Sequence, residues 1–421
     1  MATPPALPPH APAGRVPVLL LGGVNLVRTL GMAGIPAVVA SADPDEPAIA
    51  SRYCAAHFIL PPLDHPQAIE RLAGIGERMR EAAGQRVPLM YGSDDALELI
   101  YAHRERLQQH FSFLVTDPAI AEALIAKDRF QSLALMRGLP VPRELLWEGD
   151  GPGSLAGATR EVLVKPRVKV DWHDSVLCAR VFNGDSKARI YANGAAALAD
   201  PAVALFRDQL TFQEYVPGGD EALWSFHGYA DETGALLASF IGRKVRTDPP
   251  LTGESAFIEL AHDDSLAELG RDIAARLPLK GAFKMDFKRD PRDGRWYILE
   301  INARYNLWHY LGAANGVNLM AAAYGYLLGH QRRMPPRART TRRWLSLEND
   351  WRAFRVLHAR GELGWRGWIA SILFSRNVYN LFAWDDPGPW LRFWSRRVAR
   401  RVNRGSGRLA ERVRQWRSTA S

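Results

Sequence analysis

The chain has 421 residues, of which 47% are hydrophobic and 24% charged, a composition typical of a globular protein with two or three domains. Its two cysteines are too few for a disulfide framework or a cysteine-rich zinc site. The N-terminal residues do not form the basic start and apolar centre of a secretory signal, and no run of 18 apolar residues occurs. We therefore expect a cytoplasmic protein without a membrane span.

The positive charge is concentrated at the C-terminal end. The formal net charge is +9, but residues 330–421 hold 21 arginines, no lysine and six acids. The same residues hold eight of the 13 tryptophans. This shift in composition at an Arg/Pro-rich stretch over 332–343 predicts a domain boundary near residue 330.

The first elements alternate between strand and helix. An apolar run over 16–21, a helical segment and a second apolar run over 37–41 predict the start of a parallel α/β sheet. A later apolar run ends at Tyr91, and Ser93 or Asp94 would cap the helix that follows. Polar residues at these strand ends either line a pocket or serve as ordinary turns and caps.

The pattern changes after residue 110. A helix is expected from Asp117 to Arg137, followed by a strand that carries Lys165 directly before a proline. Two strands then flank a Pro-Gly-Gly connector at 217–219, and a further strand covers 234–246. A helix from Leu319 to Leu328 closes this region.

The most informative segment is 281–304, in which two apolar runs flank an Asp-Pro-Arg-Asp-Gly turn and predict a β-hairpin. Because side chains alternate along a strand, Lys284 and Asp286 share one face, and so do Glu300 and Asn302. Two carboxylates and an amide oxygen are hard ligands that suit Mg²⁺ held mainly through phosphates. The alternative is a surface hairpin whose polar face is only solvated.

In this order, the features resemble the ATP-grasp superfamily over about 16–329. The resemblance implies an α/β and α+β multidomain protein with the ATP-grasp fold. The expected parts are an N-terminal segment without fixed structure over 1–15, a Rossmann-like pre-ATP-grasp domain over 16–115, an ATP-grasp domain over 116–330 and a basic helical extension over 331–421. Within the ATP-grasp domain, a lid subdomain is expected at about 130–212 and a C-terminal subdomain at about 213–330.

The resemblance also assigns a nucleotide site. Lys127 and Lys165 match the two phosphate-binding lysines of the superfamily. Glu221, with Asp220 as the close alternative, matches the acid that holds the ribose hydroxyls. Gln213, Glu214, Tyr215 and Val216 resemble the hinge whose carboxylate and backbone contact the adenine amino group.

The metal and catalytic positions follow in the same way. Asp286, Glu300 and Asn302 match the ligands of Mg²⁺, with Mn²⁺ as an alternative ion. Lys284, like Lys165, matches a cation on the phosphates, and Arg304 resembles the arginine directed at a substrate carboxylate or acyl phosphate. The implied activity is that of an ATP-dependent carboxylate–amine ligase, which forms an acyl phosphate and releases ADP and phosphate. The alternatives are a non-catalytic ATP-binding sensor or scaffold, and a kinase-like protein that only phosphorylates its substrate.

One feature departs from the superfamily pattern. Many members follow the second lysine with a glycine-rich loop, whereas residues 166–176, which follow Lys165 here, contain no glycine. The candidates to replace that loop at the phosphates are Arg167, Lys169, His173 and Ser175.

A second basic segment covers 242–246. Strand alternation would place Arg243 and Val245 on one face and Lys244 and Arg246 on the other. The segment lies either beside the triphosphate and acceptor pocket, as in related ligases, or on a solvated strand edge.

The C-terminal end has an amphipathic pattern. Leu391, Trp394, Val398 and Val402 recur at helical spacing, and arginines occupy the other face. This pattern is typical of a helix on an anionic membrane surface, but it also fits a docked helical appendage or a nucleic-acid-binding segment. We expect small-molecule carboxylate and amine substrates, no specific nucleic acid, and peripheral association with the inner face of the membrane.

Overall fold

The structure, a computed structural model, describes residues 14–125, 127–149, 153–167, 175–183, 188–330 and 341–399. Two compact units make up the chain. The N-terminal unit comprises the residues up to 111 together with those from 381 onward, and the central unit comprises residues 112–380.

The N-terminal unit is built on a five-stranded sheet in the order β3-β2-β1-β4-β5, in which β1, β2, β3 and β4 run parallel. The predicted strand–helix–strand start is confirmed, and the Ser93 hydroxyl accepts a hydrogen bond of 3.2 Å from the Ala96 amide at the start of α3. The elements are β1 (Val18–Leu21), α1 (Val24–Gly31), β2 (Ala37–Ser41), β3 (Cys54–Ile59), α2 (Pro66–Ala83), β4 (Val87–Tyr91), α3 (Asp94–Ala102), α4 (Arg104–Gln108) and β5 (Phe111–Ser112).

The chain returns to this unit at its C-terminal end. Asp386 is buried against α1, where its carboxylate accepts a hydrogen bond of 2.9 Å from Arg28 and another of 2.8 Å from the Ser51 hydroxyl. The Arg52 amide donates to the other carboxylate oxygen at 2.8 Å. A helix over 388–399, called here the C-terminal helix, follows this contact.

A four-stranded sheet in the order β6-β9-β7-β8 forms the first part of the central unit. One face packs a core that includes Val162, Val164, Leu210 and Phe212. The helix expected over 117–137 is present as α5 and α6, separated by residue 126, which lies outside the described part. The elements are α5 (Pro118–Ile125), α6 (Lys127–Met136), β6 (Glu144–Leu145), β7 (Val162–Pro166), α7 (Val176–Val181), β8 (Arg189–Tyr191), α8 (Gly194–Leu198), α9 (Pro201–Leu205) and β9 (Leu210–Glu214).

A seven-stranded sheet in the order β14-β13-β10-β11-β12-β15-β16 forms the rest of the central unit. Its neighbouring strands are antiparallel except β15 and β16. The predicted hairpin is confirmed as β13 and β14. The elements are β10 (Leu223–Ala230), β11 (Leu236–Asp248), β12 (Glu254–Ala261), α10 (Asp264–Arg276), β13 (Gly281–Arg289), β14 (Trp296–Asn302), α11 (Trp308–Ala314), α12 (Leu319–Leu327), β15 (Arg343–Leu345), α13 (Leu347–Ala359), α14 (Trp365–Leu373) and β16 (Asn377–Tyr379).

Residues beyond 330 therefore complete this sheet. Strand β15 pairs with β12, and β16 pairs with β15. Helix α13 is tied to the sheet by Asp350, which accepts two hydrogen bonds from Arg246 at 2.6 and 3.1 Å; the side chains of both residues are buried. The change in composition near residue 330 does not coincide with the division between the units, which falls at residue 380. In the described part of the chain, every helix is too short or too polar to cross a lipid bilayer.

Candidate active site

The polar face of the β13–β14 hairpin brings four of the predicted residues together. Asp286 lies directly opposite Glu300, and Lys284 lies directly opposite Asn302. The Lys284 ammonium lies 2.6 Å from the Asp286 carboxylate. The Asn302 side-chain amide donates to Glu300 at 3.2 Å, so the four side chains form one continuous cluster.

Arg304 joins this cluster from the residues that follow β14. Its guanidinium donates a hydrogen bond of 3.2 Å to the Asn302 side-chain oxygen. The pairing of β13 with β14 shifts register directly after Asp286. Such bulges are common beside active sites, because they turn side chains that regular pairing would leave elsewhere.

The electrostatics of the cluster keep Asp286 ionised. The carboxyl is only 6% exposed, and this burial raises its pKa, but the charges of Lys284 and Lys244 outweigh burial and hold the pKa well below its usual range. The Ser225 hydroxyl donates a hydrogen bond to the same carboxylate. Asp286 is therefore an ionised carboxylate at physiological pH.

Lys244 belongs to this site but Arg246 does not, although strand alternation predicted that these two side chains share a face. Bulges in the β11–β12 pairing around 244–247 break the alternation. Arg246 is consequently buried against Asp350, whereas Lys244 interacts electrostatically with Asp286, Lys284 and Glu300. Burial lowers the pKa of Lys244, and the Asp286 charge opposes that shift.

A group of uncharged aromatic side chains lies next to Lys284. His227 lies opposite Lys284 on β10 and is stacked on Phe240 with ring centroids 4.4 Å apart; burial lowers its pKa well below the ordinary value. Burial likewise lowers the pKa of His309 to about 4. The Trp308 ring centroid lies 5.7 Å from the Lys284 ammonium. Because both histidines are neutral, these aromatic side chains add no charge that would repel the Lys284 ammonium.

The four-stranded sheet presents a second polar face. Lys165 on β7 lies opposite Thr211 on β9, and Leu163 lies opposite Gln213. The alternate residues of β9, Leu210 and Phe212, point into the core of this sheet. Thr211 and Gln213 therefore share the face that carries Lys165.

The two polar hinge residues point in different directions. Gln213 is 5% exposed, and its side-chain nitrogen donates to the Gln131 side-chain oxygen at 3.1 Å. Gln131 in turn donates from its side-chain nitrogen to the carbonyl of Pro142 at 3.0 Å. The side-chain oxygen of Gln131 is therefore the atom that accepts from Gln213. Glu214, on the other face of β9, forms an ion pair with Arg143.

Tyr215 connects the hinge to β13. Its hydroxyl donates to the carbonyl of Gly218 at 3.3 Å and accepts a hydrogen bond of 2.9 Å from Lys288. Lys288 lies two residues beyond Asp286 and is 4% exposed, and burial lowers its pKa to about 8 against the charges of Asp220 and Glu221. Lys288 is not among the residues predicted from the sequence. Val216, the last hinge residue, is buried.

The two candidate ribose acids have different surroundings. Asp220 is buried and accepts hydrogen bonds from the Thr247 amide at 2.6 Å, the Thr247 hydroxyl at 2.8 Å and the Leu251 amide at 2.8 Å. Asp220 therefore stabilises the end of β11 and the loop that follows it. Glu221 is exposed and accepts a local hydrogen bond of 3.0 Å from the Gly219 amide. Glu221 thus remains accessible to a ligand.

Several predicted phosphate contacts fall on residues that the structure does not describe. Lys127 begins α6, but its side chain lies outside the described part, as do Lys169 and His173. The Arg167 guanidinium donates to the carbonyl of Leu210 at 3.4 Å. Ser175 caps α7 by accepting a hydrogen bond of 3.3 Å from the Cys178 amide. Ser175 therefore has a structural role in this helix.

The architecture matches solved structures of known enzymes. The ADP complex of N5-carboxyaminoimidazole ribonucleotide synthetase superimposes with a TM-score of 0.57, at 14% identity over 78% of this chain and 80% of that chain. The biotin carboxylase domain of 2-oxoglutarate carboxylase from Hydrogenobacter thermophilus, solved with MgADP and bicarbonate, superimposes with a TM-score of 0.55, at 15% identity over 76% and 71%. The chain has the ATP-grasp fold.

A curated relative also matches in sequence. The D-aspartate ligase of Enterococcus faecium (strain Aus0004) is 23% identical over 286 residues, which are 62% of this chain. The match spans 63% of the length of that ligase. No family model matches the chain.

Proposed function

We propose that this protein is an ATP- and Mg²⁺-dependent ligase that joins a carboxylate to an amine through an acyl phosphate. The observation that carries the proposal is the cluster of Lys284, Asp286, Glu300 and Asn302 on one face of the hairpin, with Arg304 beside it. A protein that only bound nucleotide would not need this set of charges at the phosphate end.

The donor set of the cluster fits a divalent cation that is shared with phosphate. Within the described residues, no group of three or more His, Cys, Asp and Glu side chains is arranged to hold a metal alone. Asp286, Glu300 and Asn302 supply two carboxylates and an amide oxygen, which leaves positions for phosphate oxygens and water. When bound there, Mg²⁺ would neutralise phosphate charge during transfer.

The nucleotide would be held along the line from the hinge to the cluster. Gln213 would accept a hydrogen bond from the adenine amino group, because its own nitrogen is already engaged by Gln131. Glu221 would accept hydrogen bonds from the ribose hydroxyls. Lys165, Lys244 and Lys284 would offset the charge of the phosphates, which otherwise repels a second anion.

Two steps complete the reaction. A carboxylate oxygen of the first substrate attacks the terminal phosphorus, the bond to the bridging oxygen breaks, and ADP leaves. The amine nitrogen of the second substrate then attacks the acyl carbon, phosphate leaves, and the nitrogen loses a proton. Arg304 would hold the substrate carboxylate in place for the first step, so that catalysis depends on position and charge.

The match to D-aspartate ligase suggests where to begin with substrates. That ligase is named for D-aspartate, so amino acids of both configurations form the first panel of amines and carboxylates. Phosphate release from ATP is measured for each pair, and products are identified by mass spectrometry. A carboxylate labelled with ¹⁸O should pass one labelled oxygen to the released phosphate, because the acyl phosphate carries it.

The outcomes separate the alternatives. Labelled phosphate together with ADP and a new amide supports the ligase. AMP and pyrophosphate would overturn the acyl-phosphate route. A phosphorylated substrate that resists every amine indicates the kinase-like alternative, and saturable ATP binding without turnover on any pair indicates a sensor or scaffold.

A further inference from the structure

The C-terminal helix is held on the N-terminal unit by one of its faces. The Arg392 guanidinium donates to the carbonyl of Pro44 at 2.5 Å, and the Arg396 guanidinium lies 3.1 Å from the Asp45 carboxylate. Residues four apart on a helix point in nearly the same direction, about 40° apart. These two arginines therefore define the docked side of the helix.

An apolar stripe lies on a different side of the same helix. Leu391, Trp394 and Val398 are 55%, 42% and 58% exposed. Their helical positions lie roughly 120° to 180° from the mean direction of Arg392 and Arg396. The contacts that dock the helix thus leave the stripe in solvent. Trp384, at 89% exposure, adds a second exposed indole ahead of the helix.

The sequence that contains the stripe carries charge of almost one sign. Residues 388–421 contain ten arginines and one acid, Glu411. The Arg397 guanidinium lies 5.5 Å from the ring centroid of Trp394 and 5.8 Å from that of Phe393. Exposed tryptophan, aliphatic side chains and a high density of arginine occur together on helices that lie in the headgroup region of a bilayer.

We propose that the C-terminal helix binds the surface of an anionic lipid bilayer, with the stripe of Leu391, Trp394 and Val398 among the headgroups and the surrounding arginines against lipid phosphates. A nucleic acid would neutralise the arginines but leave the aliphatic stripe in water. A second copy packed on the stripe would bring two arginine-rich segments together without opposite charge. A bilayer satisfies both the stripe and the charge.

The test uses the full chain and vesicles of phosphatidylcholine with and without phosphatidylglycerol. Co-flotation is measured at low and high salt, and tryptophan quenching by brominated lipid reports insertion. The variant L391S/W394S removes the stripe and leaves Arg392 and Arg396 in place. The control is L205S, which removes a leucine that is 73% exposed in the central unit.

The full chain should bind anionic vesicles, lose most of that binding at high salt and be quenched by brominated lipid. Binding by L391S/W394S should fall roughly tenfold or more, since two apolar side chains no longer enter the interface. L205S should bind as the full chain does, and both variants should unfold at the same temperature as the parent. Equal binding by the stripe variant, or no binding to anionic vesicles, overturns the proposal. Retarded RNA without vesicle binding, or a dimer in light scattering that L391S/W394S abolishes, would replace it with the corresponding partner.

Discussion

Asp286 and Glu300 face each other across β13 and β14, one buried beside two lysines and the other exposed. The pair combines a carboxylate whose charge is fixed by its neighbours with one that is accessible to a ligand. The exposed member can therefore be changed while the contacts of Asp286 with Lys284 and Ser225 stay in place.

Glu300→Ala should therefore abolish phosphate release from ATP while leaving the fold intact. Loss of a metal ligand should lower turnover by at least about 100-fold, since even residues that only orient ligands contribute 10- to 100-fold. Turnover is measured by phosphate release and folding by thermal unfolding. Asp293→Ala in the turn of the same hairpin is the matched control and should keep full activity. Normal turnover in Glu300→Ala would refute the metal assignment.

The hinge can be tested with two adjacent residues. Gln213→Ala should weaken ATP binding by about 1 to 2 kcal/mol, because a buried hydrogen bond to the adenine amino group is lost. Glu214→Ala should leave ATP affinity nearly unchanged, since the Glu214 side chain is paired with Arg143 on the other face of β9. Calorimetric titration of both variants measures the difference. A larger loss in Glu214→Ala would assign the contact to that carboxylate.

Lys288 should make stability depend on pH in a defined window. Its pKa is about 8 in the folded protein and 10.5 ordinarily, so between these values the unfolded chain holds a proton that the folded chain lacks. The free energy of unfolding should therefore rise with pH across this window. Tyrosines oppose this trend only above their ordinary pKa of about 10.

The measurement compares urea unfolding of the wild type with Lys288→Met at several pH values between about 7.5 and 9.5. The wild type should gain stability relative to the variant as the pH rises. Parallel pH profiles would show that Lys288 titrates normally in the folded protein.

The buried pair of Arg28 and Asp386 should be essential to the N-terminal unit. Arg28→Met leaves a buried carboxylate without its charged partner and should lower the free energy of unfolding by about 3 to 5 kcal/mol. The double variant Arg28→Met/Asp386→Leu should recover part of this loss. Arg106→Ala, which breaks an exposed ion pair with Glu70, should cost much less than Arg28→Met, since solvent screens the exposed charges. Equal effects of the two single variants would contradict the distinction between the buried and exposed pairs.

The sequence predicted local elements better than it predicted which faces they present. The hairpin follows from two apolar runs and a strong turn, and the shared face of Lys284 and Asp286 follows from the two-residue period of a strand. The structure confirms both predictions. Lys244 could not be separated from Arg246 in this way, because bulges that depend on the neighbouring strand break the period. The hinge residues raised a similar problem, since only the pairing of β9 with β7 shows that Gln213 rather than Glu214 shares the face of Lys165.

Contacts between residues far apart in the sequence could not be predicted either. The arginine-rich composition after residue 330 indicated a separate extension, whereas β15 and β16 complete the seven-stranded sheet. Three-residue strands carry too little periodicity to be recognised. The partner of Arg246 lies 104 residues away and that of Arg28 lies 358 residues away, and no local pattern connects them.

The return of the chain end to both units has a consequence during synthesis. The seven-stranded sheet lacks two strands until residue 379 has left the ribosome, and the N-terminal unit lacks the ion pair of Arg28 with Asp386 until Asp386 follows. A polypeptide released early, or clipped near residue 330, would carry every proposed catalytic side chain but neither of these closing contacts. Such fragments should be substrates for cellular proteases, so that only finished chains accumulate.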